Sequence, residues 1–71
     1  NPEEARRWLV FAAQKGMKEA QFRIGDHLLR GEAGFTANPQ EAVSWFKKSA
    51  EQGYDSAQYS LGWCYETGTG V

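Results

Sequence analysis

The sequence predicts an all-α fold, an α-α superhelix in which antiparallel helix pairs stack into a solenoid of about four helices. Three observations predict it. The chain of 71 residues matches itself at an offset of 37 residues, with 11 identities over the 34 aligned positions. Within each copy, apolar residues recur at helical spacing, and Asn-Pro pairs or glycines stand where helices would begin or end. A repeat of this length is typical of solenoids, whose units cannot bury their apolar faces alone.

The chain signals the start of two helices with the same device. Asn1-Pro2 and Asn38-Pro39 each place a capping side chain before a proline, whose missing N–H costs nothing in the first helical turn. Apolar residues at helical spacing follow both pairs. A second helical segment follows each of these two. The sequence therefore predicts helices at residues 2–15, 18–30, 39–52 and 55–67. We call the first and third helices B and the second and fourth helices A.

Glycines are expected to end the four helices, because glycine readily adopts the left-handed conformation found after a helix C-terminus. They are Gly16, Gly31, Gly53 and Gly68. Asp55 is expected to cap the fourth helix, with Gln58 three residues later. Gly25 and Gly62 lie inside the A helices, where glycine costs about 0.5–1 kcal/mol relative to alanine. The repeated cost predicts that a neighbouring helix approaches the backbone closely.

Each A helix has a stripe of residues expected to pack against its neighbours. The stripes are Ala20, Ile24, Leu28 and Gly31 in the first copy, and Ala57, Leu61, Tyr65 and Gly68 in the second. Trp45 is expected to be largely buried, because its B helix would lie between two A helices.

Composition excludes several classes of function. Eight Lys and Arg balance nine Asp and Glu, so the chain lacks the bulk positive charge on which nucleic-acid or anionic-membrane binding depends. The longest apolar run, residues 8–13, is far shorter than the roughly 20 residues that span a bilayer, so no membrane insertion is expected. The single cysteine cannot form an internal disulfide, and no signal sequence is recognised. The localisation is therefore left undetermined.

A Cys/His pair is the one motif that suggests a metal or catalytic site. His27 and Cys64 occupy equivalent positions of the two copies, but equivalent residues of stacked helices start a full helix spacing, about 8–10 Å, apart. Two ligands without a third also make a poor zinc site. No serine has a base and an orienting acid around it. We therefore expect no catalytic residue, no metal site and no cofactor, and we expect the pair to serve in packing.

The two copies resemble a known family. Residues 57–71, AQYSLGWCYETGTGV, and the positions Glu41, Ala42, Trp45, Lys48, Ala50 and Gly53 are similar to the Sel-one-like repeat (SLR) family, a branch of the tetratricopeptide-like helical solenoids. The resemblance covers nearly all 71 residues. The first copy departs from the pattern at Leu28, where the family favours tyrosine, and in the loop at 31–35. The resemblance implies right-handed superhelical stacking and a non-catalytic role as an adaptor in protein complexes.

Membership of such a solenoid implies that the A helices line a concave groove. The residues on the side of the A helices away from the packed stripe would then face a partner, and aromatic side chains on such a surface are typical of binding hot spots. The predicted groove residues are Phe22, Asp26 and Leu29 in the first copy, and Tyr59, Trp63 and Glu66 in the second. The alternative to partner binding is that Phe22 and Tyr59 are buried between adjacent A helices, or that further repeats cover Trp63.

The main functional hypothesis is a non-catalytic protein-interaction module, an adaptor or scaffold that binds a peptide or a helix of a partner protein in this groove. The alternative is a structural spacer or a self-associating array whose ends make the contacts, and an enzyme is disfavoured. The helix order B, A, B, A and the broad apolar surface of the first helix, with Trp8 and Phe11, suggest a piece of a longer repeat array. In isolation, such a piece is expected either to melt at a low temperature as a monomer or to associate end to end as its concentration rises.

Overall fold

Four α-helices make up the computed structural model, which describes every residue from Asn1 to Val71. They are α1 (Pro2–Gln14), α2 (Lys18–Arg30), α3 (Pro39–Glu51) and α4 (Asp55–Thr67). Helices account for 73% of the residues and there is no strand, so the predicted all-α class is confirmed. Both B helices, α1 and α3, end one residue before the predicted position. Lys15 and Gln52 are C-cap residues there, and the glycine after each has a positive φ.

The two Asn-Pro pairs start their helices as the sequence predicts. The Oδ1 atom of Asn1 accepts a hydrogen bond of 2.9 Å from the backbone N–H of Glu3, and Oδ1 of Asn38 accepts one of 3.2 Å from that of Glu41. The prediction that Asp55 caps α4 is wrong. Tyr54 is the N-cap residue and makes no side-chain cap, so Asp55 is already in the first helical turn. Its carboxylate there favourably faces the positive end of the helix dipole.

The helices stack in chain order, so that α2 packs between α1 and α3, and α3 packs between α2 and α4. The core runs along the middle of this stack. Its buried apolar residues are Ala12, Ala13, Ala20, Ile24, Leu28, Ala42, Val43, Phe46 and Cys64. Phe46 is the largest fully buried side chain. The centre of the core therefore lies on helix α3.

Gly25 makes a very close approach of α2 to α3 possible. A Cβ atom at this position would lie 2.7 Å from Cε1 of Phe46 and 3.2 Å from the carbonyl oxygen of Ala42. Only a residue without a side chain leaves room for the Phe46 ring. A Cβ atom at the same position in α4, Gly62, would have no neighbour within 4 Å, because no helix packs on that face.

The expected burial of Trp45 is only partly met. Trp45 is half-buried, and the adjacent Phe46 is fully buried in its place. Consecutive helix residues point about 100° apart, so α3 can direct just one of the two rings into the contact with α2. The ring of Trp45 lies at the edge of the core, where the ammonium group of Lys48 lies 4.5 Å from its centroid.

Polar side chains join the helices at the turns. Ser49 Oγ donates a hydrogen bond of 2.8 Å to the carbonyl oxygen of Lys18. Gln52 Nε2 donates two of 2.9 Å, one to the carbonyl oxygen of Gly16 and one to Oε1 of Gln21. No buried side-chain polar atom lacks a partner. These bonds fix how far one helix can slide along the next.

Hydrogen bonds also reproduce the 37-residue repeat. Gln21 Nε2 donates to the carbonyl oxygen of Ala13 at 3.2 Å, and its equivalent Gln58 donates to that of Ala50 at 3.3 Å. The two copies therefore fold alike around each B-to-A turn.

The predicted packing stripe is buried in α2 except at Gly31, whereas in α4 only Ala57 of the stripe is buried. Ala20, Ile24 and Leu28 are at most 5% exposed, whereas Tyr65 is 53% exposed. The stripe of α2 is covered by helices on both sides, but α4 has a neighbour on one side alone. None of the four helices has the length and apolar character needed to cross a membrane.

Candidate functional site

A cleft of about 510 Å³ lies between α2 and α4. Its lining residues come from α2, from the first turn of α3, from α4 and from the segment after α4. They are Asp26, Leu29, Arg30, Pro39, Tyr59, Ser60, Trp63 and Thr69. We call this surface the α2–α4 cleft. Four of the six predicted groove residues, Asp26, Leu29, Tyr59 and Trp63, are brought together in it.

Two aromatic side chains of α4 form one wall of the cleft. Tyr59 is 78% exposed and Trp63 is 44% exposed. They are four residues apart, so they project from the same side of the helix. Large aromatic side chains bury much apolar area in a contact and lose little conformational freedom, which suits them to anchor a partner.

The opposite wall combines an apolar residue with an ion pair. Leu29 is half-buried and lines the cleft. Arg30 Nε lies 3.2 Å from Oδ1 of Asp26, one helical turn earlier. This pair fixes the Asp26 carboxylate, whose second oxygen is left to accept a hydrogen bond. The cleft therefore offers an apolar aromatic surface with a polar rim, as small binding sites commonly do.

The other two predicted groove residues lie outside the cleft. The ring of Phe22 packs on Phe46 and Tyr54, with centroids 5.9 and 5.6 Å apart, so this side chain supports the α2–α3 contact. Glu66 lies beyond Trp63 on α4. It lines a smaller depression of about 370 Å³ with Tyr59, Trp63 and their neighbours.

Half of the cleft lining lies outside the set of predicted groove residues. Arg30 and Ser60 each directly follow a predicted groove residue in their helix, Pro39 is the first residue of α3, and Thr69 follows α4. Arg30 has a usable signal, because its i, i+4 pairing with Asp26 is recognisable in the sequence. No sequence signal identifies Pro39 and Thr69, since only the stacking of the helices brings these residues to the cleft.

A sequence profile of the Sel1 repeat matches residues 1–17, 18–54 and 55–71, which together account for every residue. The chain belongs to the Sel1 repeat family. The complete Sel1 unit, 18–54, contains α2 and α3, while α1 and α4 belong to the units before and after it. Sel1 repeats generally mediate protein–protein interactions, and the family is a non-catalytic repeat fold.

One solved structure carries the same arrangement of Sel1 helices. The crystal structure of a Sel1 repeat protein from Oxalobacter formigenes superimposes with a TM-score of 0.96 at 39% sequence identity. The match covers 100% of this chain and 53% of that protein, so the chain spans about half the length of this relative. No curated protein sequence matches the chain.

The two members of the Cys/His pair, His27 and Cys64, lie in different surroundings. The ring of His27 stacks on Phe35 with centroids 5.7 Å apart, and its Nδ1 lies 3.4 Å from a carboxylate oxygen of Glu32. Cys64 is fully buried against α3, and this burial raises the pKa of its thiol. The two residues therefore contact different neighbours, His27 the loop after α2 and Cys64 the helix α3. No three His, Cys, Asp or Glu side chains are grouped so as to hold a metal ion.

Proposed function

We propose that this chain is an adaptor module that binds a short segment of a partner protein, a peptide or one helix, in the α2–α4 cleft. The observation that carries the proposal is the exposure of Tyr59 and Trp63 side by side on the cleft wall. Their apolar area lacks cover from the rest of the chain, and a partner would bury it. The general role of Sel1 repeats in protein–protein contacts supports the same function.

The shape and chemistry of the cleft favour a particular kind of ligand. An apolar side chain of the partner would contact Trp63 and Leu29, and polar groups beside it would bond to Asp26, Ser60 or Thr69. A cleft of this size accepts one or two side chains at a time. We therefore propose recognition of a short motif through one apolar anchor.

The proposed role includes no catalytic step. It is supported by the non-catalytic character of the family, by a cleft lining without His, Cys or Lys, and by the burial of Cys64, the strongest nucleophile in the chain. The role needs no cofactor.

The test is selection of peptides from a displayed random library on the immobilised chain, followed by affinity measurement with synthetic versions. Trp63→Ala and Tyr59→Ala should each weaken binding at least tenfold, as loss of a hot-spot aromatic does. Trp8→Ala is the matched control, because Trp8 is 67% exposed and lies outside the cleft. Selected peptides whose affinity is unchanged by Trp63→Ala, or reduced equally by Trp8→Ala, would contradict the proposal.

A further inference from the structure

A pocket of about 420 Å³ is lined by α1 and by the loop that joins α2 to α3. The residues of α1 come from one side of the helix, because they recur at a spacing of three to four residues. The full lining is Arg6, Arg7, Val10, Phe11, Gln14, Gly34, Phe35 and Thr36. We call this surface the α1–loop pocket. It shares no lining residue with the α2–α4 cleft.

The second copy of the repeat indicates that this side of α1 stays open in a longer stack. The equivalent helix, α3, has an A helix packed on each side, α2 before it and α4 after it. With these helices and α1 in place, Ser44 and Lys48 are still exposed. A shift of 37 residues makes them the equivalents of Arg7 and Phe11. A repeat that preceded α1 in the same arrangement would therefore leave Phe11 in water.

The two B helices differ in chemistry on this open side. Helix α3 carries Lys47 and Lys48, which are exposed as charged residues on a solvated surface normally are. Helix α1 carries Val10 and Phe11 at the equivalent positions, and Phe11 is 50% exposed. Stacking of repeats does not explain a large aromatic side chain at a position that stacking leaves in water. Contact with another molecule does explain it, because exposed aromatic side chains commonly anchor partners.

The loop supplies a second aromatic ring to the same pocket. Residues 31–35 are the segment in which the first copy departs from the family pattern. The ring of Phe35 stacks on His27 with centroids 5.7 Å apart. Arg6 Nη1 donates a hydrogen bond of 3.0 Å to the carbonyl oxygen of Gly34, which ties the loop to α1. The pocket is therefore formed by features that belong to the first copy alone.

Basic side chains surround the apolar part of the pocket. Arg6 and Arg7 line it, and no Asp or Glu does. The ammonium group of Lys15 lies 5.4 Å from the centroid of the Phe11 ring. The carboxylate of Glu3 lies 3.6 Å from Nη2 of Arg7 and 4.0 Å from Nη2 of Arg6. Such exposed ion pairs contribute little, so a carboxylate of a ligand can replace Glu3, and one carboxylate leaves positive charge in excess.

We propose that the α1–loop pocket is a second protein-binding site, which takes an acidic segment of a partner protein with one apolar side chain as its anchor. The anchor packs against the rings of Phe11 and Phe35. Carboxylates on either side of it pair with Arg7 and Lys15, since a guanidinium group binds a carboxylate with two parallel hydrogen bonds. This site does not depend on the α2–α4 cleft. A chain with both sites holds two different segments at once.

The first experiment measures the binding of a labelled synthetic peptide by fluorescence anisotropy. The peptide has a central phenylalanine flanked on both sides by aspartates. One control peptide has lysine in place of each aspartate, and another has serine in place of the phenylalanine. The acidic phenylalanine peptide should bind at least tenfold more tightly than either control. Amide NMR shifts on binding should appear at residues 34–36 and be absent at residues 59–63, which distinguishes this site from the α2–α4 cleft.

Variants with matched controls test the residues of the pocket. Phe11→Gln should weaken binding of the acidic peptide at least tenfold, and Arg7→Ser several-fold. Both should stay folded, because α3 carries polar residues at the equivalent positions. Tyr65→Gln removes an aromatic of similar exposure, 53%, and Lys47→Ser removes an exposed cation, both outside the pocket. These two controls should bind like the unchanged chain. Equal losses in a variant and its control, or equal binding of the lysine peptide, would overturn the proposal.

The second experiment asks whether a preceding repeat covers the pocket. A chain of residues 1–37 followed by residues 1–71 contains α1 twice, and its second α1 has an A helix before it. Isothermal titration calorimetry should give two acidic peptides bound per chain, and Phe11→Gln in the second α1 should reduce this number to one. A single peptide bound to the unchanged longer chain would mean that adjoining repeats cover the pocket, and it would overturn the proposal, as would no binding to either chain.

Discussion

Gly25 lies directly against the ring of Phe46, so closely that a Cβ atom would be 2.7 Å from Cε1. This pair sets the distance between α2 and α3, the central contact of the stack. The glycine at the same place in α4, Gly62, has empty space around it. One sequence motif therefore has two different structural consequences in one chain.

That difference predicts opposite effects of the same substitution. Gly25→Ala should destabilise the fold by about 1–3 kcal/mol, because the added methyl group overpacks the contact with Phe46 and Ala42. Gly62→Ala should stabilise it by about 0.5–1 kcal/mol, since alanine is the better helix former and meets no atom. Urea unfolding followed by circular dichroism at low concentration measures both. Equal effects of the two substitutions would contradict the close packing of α2 on α3.

A second prediction concerns the adjacent aromatic residues of α3. Phe46 is 0% exposed, so Phe46→Ala should cost about 3–5 kcal/mol, which a chain of this size can hardly tolerate. Trp45→Ala should cost clearly less, because the ring is half-buried and lies beside Lys48. Helical circular dichroism at room temperature should be lost in the first variant and kept in the second. The reverse order would show that α3 is rotated about its axis.

The sequence is sufficient to predict the architecture because the evidence for it is periodic. The 37-residue offset, the Asn-Pro pairs and the helix-ending glycines repeat, and each copy supports the interpretation of the other. The rotation of a helix about its axis is less well determined. Trp45 and Phe46 are neighbours of similar apolarity, and the choice between them depends on the space above Gly25, which is a tertiary feature.

The α2–α4 cleft illustrates the same limit. Tyr59 and Trp63 are predictable because helical spacing puts them on one side of α4. Phe22 occupies the equivalent position to Tyr59, but Tyr54 and Phe46 cover its ring, and that cover comes from outside α2. Equivalent positions in a repeat share backbone geometry, whereas their exposure depends on which neighbours are present.

Burial of Cys64 predicts a pH dependence of stability. Because burial raises the pKa of the thiol in the folded chain, the folded state holds this proton more tightly than the unfolded state. The contribution of the buried, protonated thiol to the free energy of unfolding is complete below the pKa of the unfolded thiol, about 8.5. This contribution is lost as the pH rises above that value. Cys64→Ala should unfold with a weaker dependence on pH between about 8 and 10. An identical pH profile in both chains would show that the thiol is accessible.

The same burial predicts slow chemical modification. Iodoacetamide should label Cys64 of the folded chain far more slowly than a free cysteine, since the thiolate is both disfavoured and covered. Urea above the unfolding midpoint should restore the ordinary rate. Mass spectrometry of samples quenched over time gives both rates, and fast labelling without urea would contradict the packing of α4 on α3.

The last prediction uses the repeat to test whether stacked contacts between helices set the stability of the chain. Because residue 38 restarts the pattern of residue 1, a chain made of residues 1–37 followed by residues 1–71 keeps the register. It contains one further contact between an A helix and a B helix, here between α2 and a second α1, and nearest-neighbour contacts add to the stability of repeat proteins. This longer chain should therefore melt at a higher temperature than the original at the same low concentration.

The control for the longer chain carries a Gly/Ser segment of equal length in place of the added unit, and it should melt like the original. A melting temperature no higher than that of the control would mean that α2 does not pack on the second α1, even when both helices belong to one chain.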